Sequence, residues 1–244
     1  MNRKTFCAHR GLSALMPENT LPAFAAALVL GADEIEFDIR LTKDEQLIVS
    51  HDRTLERISH GAGVLENFTL AELKQLNIGV KKGWEIPFCT AEEVFAALAG
   101  KLTFNIHLKE HGEEGYLIRE LCRLTDKYGA RDSVYFAGSP AELDWMQRIA
   151  PNVPRAAIQL PKDTVEIFEM AQTYDCSRVQ FWLGMFDEAL IERMHRAGIR
   201  CNLYYADTAE DYRKYFDMGI DTLLTNRMDL AAAYRRAVGS GGNA

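Results

Sequence analysis

The chain has no apolar run approaching the length of a membrane span, so no transmembrane helix is expected. It also has no C-x-x-C pair. Its five cysteines (Cys7, Cys89, Cys122, Cys176 and Cys201) are odd in number and widely spaced. That speaks against a zinc knuckle or a disulfide framework, and for buried thiols in a reducing compartment. Positive charge is in short supply: 28 Lys and Arg stand against 35 Asp and Glu, a net charge of −7, which excludes a general nucleic-acid binder. A local basic pocket for one phosphate remains compatible with that balance. The N-terminus is basic, but no apolar signal-peptide core follows it, because His9 and Arg10 interrupt. A cytoplasmic, soluble protein is the expectation.

What is present is a regular alternation. Short strands rich in β-branched and aromatic residues are expected at Thr5–Ala8, Glu34–Leu41, Thr103–Leu108, Ser133–Phe136, Arg155–Ile158, Arg178–Phe181, Arg200–Tyr204 and Thr222–Leu224. Helical stretches follow them at Thr20–Leu30, Glu114–Tyr128, Ala141–Ile149, Thr164–Tyr174, Asp187–Ala197, Ala209–Met218 and Asp229–Val238, with a further one at Ala91–Leu98. Eight such units in 244 residues suit an α/β (β/α)₈ barrel, for which ~250 residues is typical. A doubly wound open sheet has the same local pattern, whereas a leucine-rich solenoid would need an L-x-x-L-x-L repeat that is missing. Residues 53–87 break the rhythm with Gly61, Gly63, Gly79 and Gly83, and read as a small insertion after the second strand and its short partner Leu47–Ser50, too short to bury a core of its own. The barrel domain is expected to span residues 1–238, with 239–244 as a flexible tail.

Charged residues sit at the ends of these apolar runs, where they are costly unless they share a cavity. In a barrel the carboxyl ends of the strands build the active site. His9 and Arg10 end the first strand; Glu36 and Asp38 are two apart on the second; Asn105, His107 and Lys109 alternate along the third; His51 closes the short strand beyond the second. Each has an ordinary explanation alone: a histidine in a hydrogen-bonded turn, an acid pair on an edge strand, a solvated His-Asp turn, a Lys109–Glu110 surface ion pair of little value. Joint placement at strand ends lifts the functional reading above those.

The sequence resembles the glycerophosphodiester phosphodiesterases. The resemblance is carried by His9-Arg10-Gly11, Pro17-Glu18-Asn19-Thr20, Glu36-Phe37-Asp38, His51-Asp52, Asn105-Ile106 with Lys109, Gly219-Ile220-Asp221 and Thr225-Asn226-Arg227. It covers nearly the whole chain and is densest before residue 110. It implies a metal-dependent phosphodiester hydrolase that cleaves a small-molecule glycerophosphodiester to glycerol 3-phosphate and an alcohol. By that resemblance His9 and His51 are the acid–base pair, Arg10 and Lys109 bind the phosphate, and Glu36 and Asp38 ligate one divalent ion, Mg²⁺ or Ca²⁺.

One departure bears on the metal. The family motif Asn-Ile-Glu-x-Lys here reads Asn105-Ile106-His107-Leu108-Lys109, so an imidazole stands where a third carboxylate is usual. An imidazole suits Mn²⁺, Fe²⁺ or Zn²⁺ better than Mg²⁺ or Ca²⁺, which prefer oxygen. The rival expectation is a weakly held metal and a weakened, diester-binding barrel. Two smaller departures, Tyr204-Tyr205 where the family has Trp before Thr, and Asn226-Arg227-Met228 in place of an Asp-Arg-Pro-like end, point to an altered alcohol preference or to plain core substitution. Related activity on another head group, a lysophospholipid or a sugar phosphodiester, is the alternative.

Overall fold

The computed structural model describes residues 3–161 and 165–240. Along them run β1 (Thr5–His9), α1 (Leu21–Val29), β2 (Glu34–Leu41), β3 (Leu47–Val49), α2 (Leu70–Leu73), α3 (Ala91–Leu98), β4 (Thr103–Leu108), α4 (Tyr116–Lys127), β5 (Val134–Gly138), α5 (Pro140–Ile149), β6 (Arg155–Ile158), α6 (Ile167–Thr173), β7 (Arg178–Trp182), α7 (Glu188–Arg196), β8 (Arg200–Tyr204), α8 (Ala209–Met218), β9 (Thr222–Thr225) and α9 (Met228–Ser240). Eight strands pair in parallel in the order β1-β9-β8-β7-β6-β5-β4-β2, and β1 pairs with β2 to close the ring. The structure is therefore a (β/α)₈ barrel. β3 lies outside the ring, antiparallel to β2 through Ile39↔Val49 and Leu41↔Leu47.

Alternation along each strand decides what faces where. Ile35, Phe37 and Ile39 point outward into the main core beneath the helices, where Phe37 meets Phe24 and Phe104, and Phe104 meets Phe95 edge to face at 5.0 Å. A fully buried Phe contributes ~1.5–3 kcal/mol by area alone, so this cluster anchors α1 and α3 to the first strands. The alternate residues point into the barrel, and the lumen is polar. Glu34 accepts from Tyr135 Oη at 2.7 Å and pairs with Arg178 at 3.3 Å, while Asn202 donates to Tyr135 Oη at 3.0 Å. This network forms a floor beneath the site.

Helix starts follow the caps. Thr20 Oγ1 accepts from the Ala23 amide, and Thr90 caps α3 with Glu93 in a reciprocal box. Several boundaries lie one to three residues from the sequence expectation, among them one helix start and one helix end. The helix placed at Glu114 begins at Tyr116, because Glu114 and Gly115 are left-handed, at φ 48 and 76. The last helix runs on through Gly239 to Ser240, two residues into the expected tail; 241–244, like the expected helix start at Thr164, lie outside the described residues. The insertion gathers six buried apolar residues, but Ile48 and Phe88 among them come from β3 and the chain returning to α3. It leans on the barrel and is not independent of it.

Candidate active site

The chain leaves β1 through a tight turn that needs a glycine at its second position. Arg10 is left-handed at φ 56, held there by its N–H, which donates to the Glu36 carbonyl at 3.0 Å and to Glu36 Oε2 at 2.9 Å. Gly11 follows at φ 81, and a Cβ there would lie 2.7 Å from the Ala23 carbonyl carbon. That turn aims the His9 ring and the Arg10 side chain over the barrel mouth. A cavity of about 460 Å³ opens there. His9, Arg10, His51, His107 and Lys109 line it together with the apolar Leu108, Ile158, Leu160, Trp182, Tyr204 and Tyr205 and the polar Ser139 and Glu142. The seven residues marked in the sequence all come together: five line the cavity, and Glu36 and Asp38 lie directly beneath, fully buried.

Both histidines are anchored through Nδ1. His9 Nδ1 lies 2.8 Å from Asn226 Oδ1. The Asn226 side-chain NH₂ donates to Asp207 Oδ2 at 2.8 Å, so its oxygen is turned to the ring and takes the His9 Nδ1 hydrogen. His9 Nε2 then faces the cavity as a bare nitrogen, 3.9 Å from Glu36 Oε2, with Tyr205 stacked on the ring at 5.6 Å. Burial, aided by the Arg10 charge, pushes His9 down to about 4 and keeps it neutral. His51 Nδ1 lies 2.7 Å from Asp52 Oδ1. Burial alone would raise Asp52, but hydrogen bonds from Arg57 and His51 bring it to about 2; as a carboxylate it only accepts, so His51 also carries its hydrogen on Nδ1. Burial lowers His51 as well.

The His51 anchor is tied to Arg10. Arg57 bonds both Asp52 and Glu18, and Glu18 Oε1 accepts from Arg10 Nη1 at 2.9 Å. Asn19, left-handed at φ 57, donates from Nδ2 to Asp38 Oδ2 at 2.9 Å. None of Glu18, Asn19, Asp52, Arg57, Asp207 or Asn226 was singled out in the sequence as a site residue. Most lie inside quoted motifs, so the signal was present without a role attached; Asp207 carried no signal at all.

Glu36, Asp38 and His107 present one ligand atom each, all within 4.8 Å of one another. Lys109 Nζ lies 2.9 Å from Asp38 Oδ1, and Arg10 Nε 3.4 Å from Asp38 Oδ2. Burial would raise Asp38, but Lys109 and Arg10 hold it well below the usual carboxylate range. Burial and the Asp38 charge push Glu36 up. Its Oε1 has no hydrogen-bond partner, and the nearest donor atom is His107 Nδ1 at 3.0 Å. Burial, then Lys109, brings His107 down to about 3, so the ring is neutral and its lone pair is available. An orphaned buried carboxylate oxygen with an imidazole and a second carboxylate beside it fits a divalent cation. A second group, His195, Cys201 and Asp221, lies at the opposite end of the barrel. There Asp221 Oδ2 is already bonded by His195 Nε2 and the Cys201 amide, both at 2.8 Å, which gives the cluster a structural explanation.

Comparison with known proteins gives the family and the fold. The model of the glycerophosphoryl diester phosphodiesterase family matches residues 9–230. A glycerophosphodiester phosphodiesterase of Caldanaerobacter subterraneus subsp. tengcongensis is 32% identical over 232 residues, covering 90% of this chain and 92% of that protein. Among solved structures, an Oleispira antarctica phosphodiesterase in complex with the product sn-glycerol-3-phosphate superimposes with a TM-score of 0.86 at 22% identity, over 97% of each chain. A glycerophosphodiester phosphodiesterase from Agrobacterium tumefaciens does so with a TM-score of 0.80 at 24% identity, over 94% of this chain and 99% of that one. At these identities the structural likeness speaks for the fold.

Proposed function

Because the chain belongs to the glycerophosphoryl diester phosphodiesterase family, we propose that it hydrolyses glycerophosphodiesters to glycerol 3-phosphate and an alcohol. The observation that supports this most is the pair of histidines on one cavity, each anchored at Nδ1 with Nε2 free. Breaking a P–O bond needs a proton taken from the attacking hydroxyl and a proton given to the departing alkoxide. Both Nε2 atoms accept in the state seen; the donor is whichever histidine has taken up a proton before the alkoxide departs, and each such role contributes ~10²–10⁴-fold. Asn226 and Asp52 fix the tautomers that leave those nitrogens exposed.

Arg10 and Lys109 are the groups placed to hold the diester's non-bridging oxygens. Both charges are set against Asp38, which leaves little spare positive charge for an incoming phosphodiester anion. Glu36, Asp38 and His107 would hold one divalent cation, which when bound supplies that charge and polarises the phosphate as a Lewis acid. An imidazole among the ligands favours Mn²⁺, Fe²⁺ or Zn²⁺ over Mg²⁺ or Ca²⁺.

The rest of the lining favours one refinement. Apart from Ser139 and Glu142 this wall is apolar, formed by Leu108, Ile158, Leu160, Trp182, Tyr204 and Tyr205, and Trp182 and Tyr205 stay 39% and 50% exposed. Such a wall accommodates an alcohol with an apolar part, as in a lysophospholipid, better than a sugar. Release of glycerol 3-phosphate from glycerophosphocholine, glycerophosphoethanolamine and a lysophospholipid, before and after chelation and with each metal restored, tests the proposal. We expect activity that chelation removes. No glycerol 3-phosphate from any of them under any metal would overturn the reading, and activity indifferent to chelation would overturn its metal part.

A further inference from the structure

Beneath the three clustered side chains the lumen holds two buried amides in line with His107. Asn105 Nδ2 donates to Gln180 Oε1 at 3.1 Å, and Gln180 Nε2 lies 3.0 Å from His107 Nε2. Neither amide residue has any exposed surface. One end of a carboxamide only accepts and the other only donates. With its oxygen occupied by Asn105, Gln180 turns its NH₂ to the ring, and His107 Nε2 accepts. The neutral ring then carries its hydrogen on Nδ1, aimed at the Glu36 Oε1 atom that lacks a bond. Nδ1 is also the nitrogen facing both carboxylates, with Asp38 Oδ1 at 3.9 Å, and it is the one a cation requires bare.

We propose that Gln180, backed by Asn105, is a positioning residue that decides whether His107 serves as a metal ligand. In the arrangement seen, the His107 Nδ1–H lies toward Glu36 Oε1 at 3.0 Å without completing a hydrogen bond to it. With both amides turned end for end, Asn105 Oδ1 accepts from Gln180, the Gln180 oxygen accepts from His107 Nε2–H, and the Nδ1 lone pair is free for a cation. The ring keeps one hydrogen throughout, moved from Nδ1 to Nε2. Turning gives Asn105 Oδ1 a partner and leaves Nδ2 without the one it has now, so Asn105 has one unpartnered end in either arrangement. A metal-bound histidine ordinarily gives its second N–H to a fixed acceptor such as a carboxylate or carbonyl. Here the acceptor is an amide that serves either tautomer, so metal affinity depends on which way it points. This inference rests on reading Glu36, Asp38 and His107 as the ligands.

The test reads the ring and the metal separately, without turnover. Ring ¹⁵N shifts of His107, assigned by difference with His107→Glu, report the tautomer with and without Zn²⁺; calorimetric titration reports Mn²⁺ affinity. We expect Nδ1–H in the metal-free wild type and Nε2–H with Zn²⁺ bound. Gln180→Glu, which only accepts, should hold Nε2–H without metal and tighten Mn²⁺ ~10–100-fold, the range by which such outer partners act. Asn105→Asp does not touch the ring and turns Gln180 by accepting its NH₂. It should give the same inversion, and guards against a Gln180→Glu chain that does not fold. Nε2–H already present in the metal-free wild type, or Mn²⁺ binding within twofold in both variants, overturns the proposal. Glu36→Gln keeps the two failures apart: Mn²⁺ bound as tightly as by wild type means the ligand set is wrong, not merely the relay.

Discussion

Asp52→Asn isolates the anchoring of His51. The replaced carboxylate accepts the His51 Nδ1 hydrogen at 2.7 Å and is itself gripped by Arg57. Unit charges ~4 Å apart interact by about 4 kcal/mol at an effective dielectric of ~20 and by about 1 kcal/mol in water. The His51 side chain keeps 37% of its surface, so the pair lies toward the watery limit, at ~1–2 kcal/mol or about one pKa unit. Asp52 works to raise a histidine that burial has already lowered, so its removal lowers His51 further. The limb of the kcat/KM pH profile reporting His51 should therefore move down by about one unit. Activity at its optimum should fall ~10²-fold, because an amide NH₂ at Nδ1 selects the other tautomer. Stability gives an independent reading. Asp52 titrates at about 2 folded and ~3.9 unfolded, so its contribution is full above ~4 and is lost as pH falls through about 2. That contribution is on the order of 2 kcal/mol, and the variant should lack this part of the acid dependence of the urea midpoint. Unchanged activity with an unmoved limb would refute the assignment of His51 to proton transfer.

His107→Glu restores the family's three carboxylates and should move the metal preference from Mn²⁺ or Zn²⁺ toward Mg²⁺ or Ca²⁺ in a binding panel; the same order of affinities in both proteins would show that His107 is no ligand, and activity rising sharply in the variant would show that the imidazole weakens this chain. Gly11→Ala combines the strain of φ 81 with a 2.7 Å contact on the Ala23 backbone and should cost about 2–3 kcal/mol in urea denaturation, whereas Gly100→Ala, at φ 75 with nothing within 4 Å, should cost about 1 kcal/mol; equal losses would show that the turn after β1 has room to relax.

The barrel was legible in the sequence because its signal is periodic: an apolar stripe every second residue, an amphipathic helix behind it, eight times over. Boundaries slipped where a backbone conformation decided them. Nothing in the residue types at Glu114-Gly115 announces two left-handed positions, and Gly239 reads as tail composition although it sits in a helix. The site was legible in a more limited way. Residues assigned to substrate or metal recur in short motifs and could be named; most of those that orient them could not, because apart from Asp52, which stands beside His51, their partners lie far off in the chain. Asn226 is 217 residues from His9, and Gln180 is 73 from His107. Glu18 stands in a quoted motif, yet only the folded chain of contacts Arg10–Glu18–Arg57–Asp52–His51 shows that the turn after β1 and the loop after β3 hold one another. The His107 departure is where the two kinds of knowledge meet. Sequence alone says that a carboxylate has become an imidazole. The fold adds that the new ring has its far nitrogen on an amide, and that changes the question from how much charge the site has lost to which nitrogen lone pair it presents. A carboxylate ligand needs no tautomer. An imidazole does, so the residue behind it becomes part of the metal site in a way that no position behind the original Glu had to be.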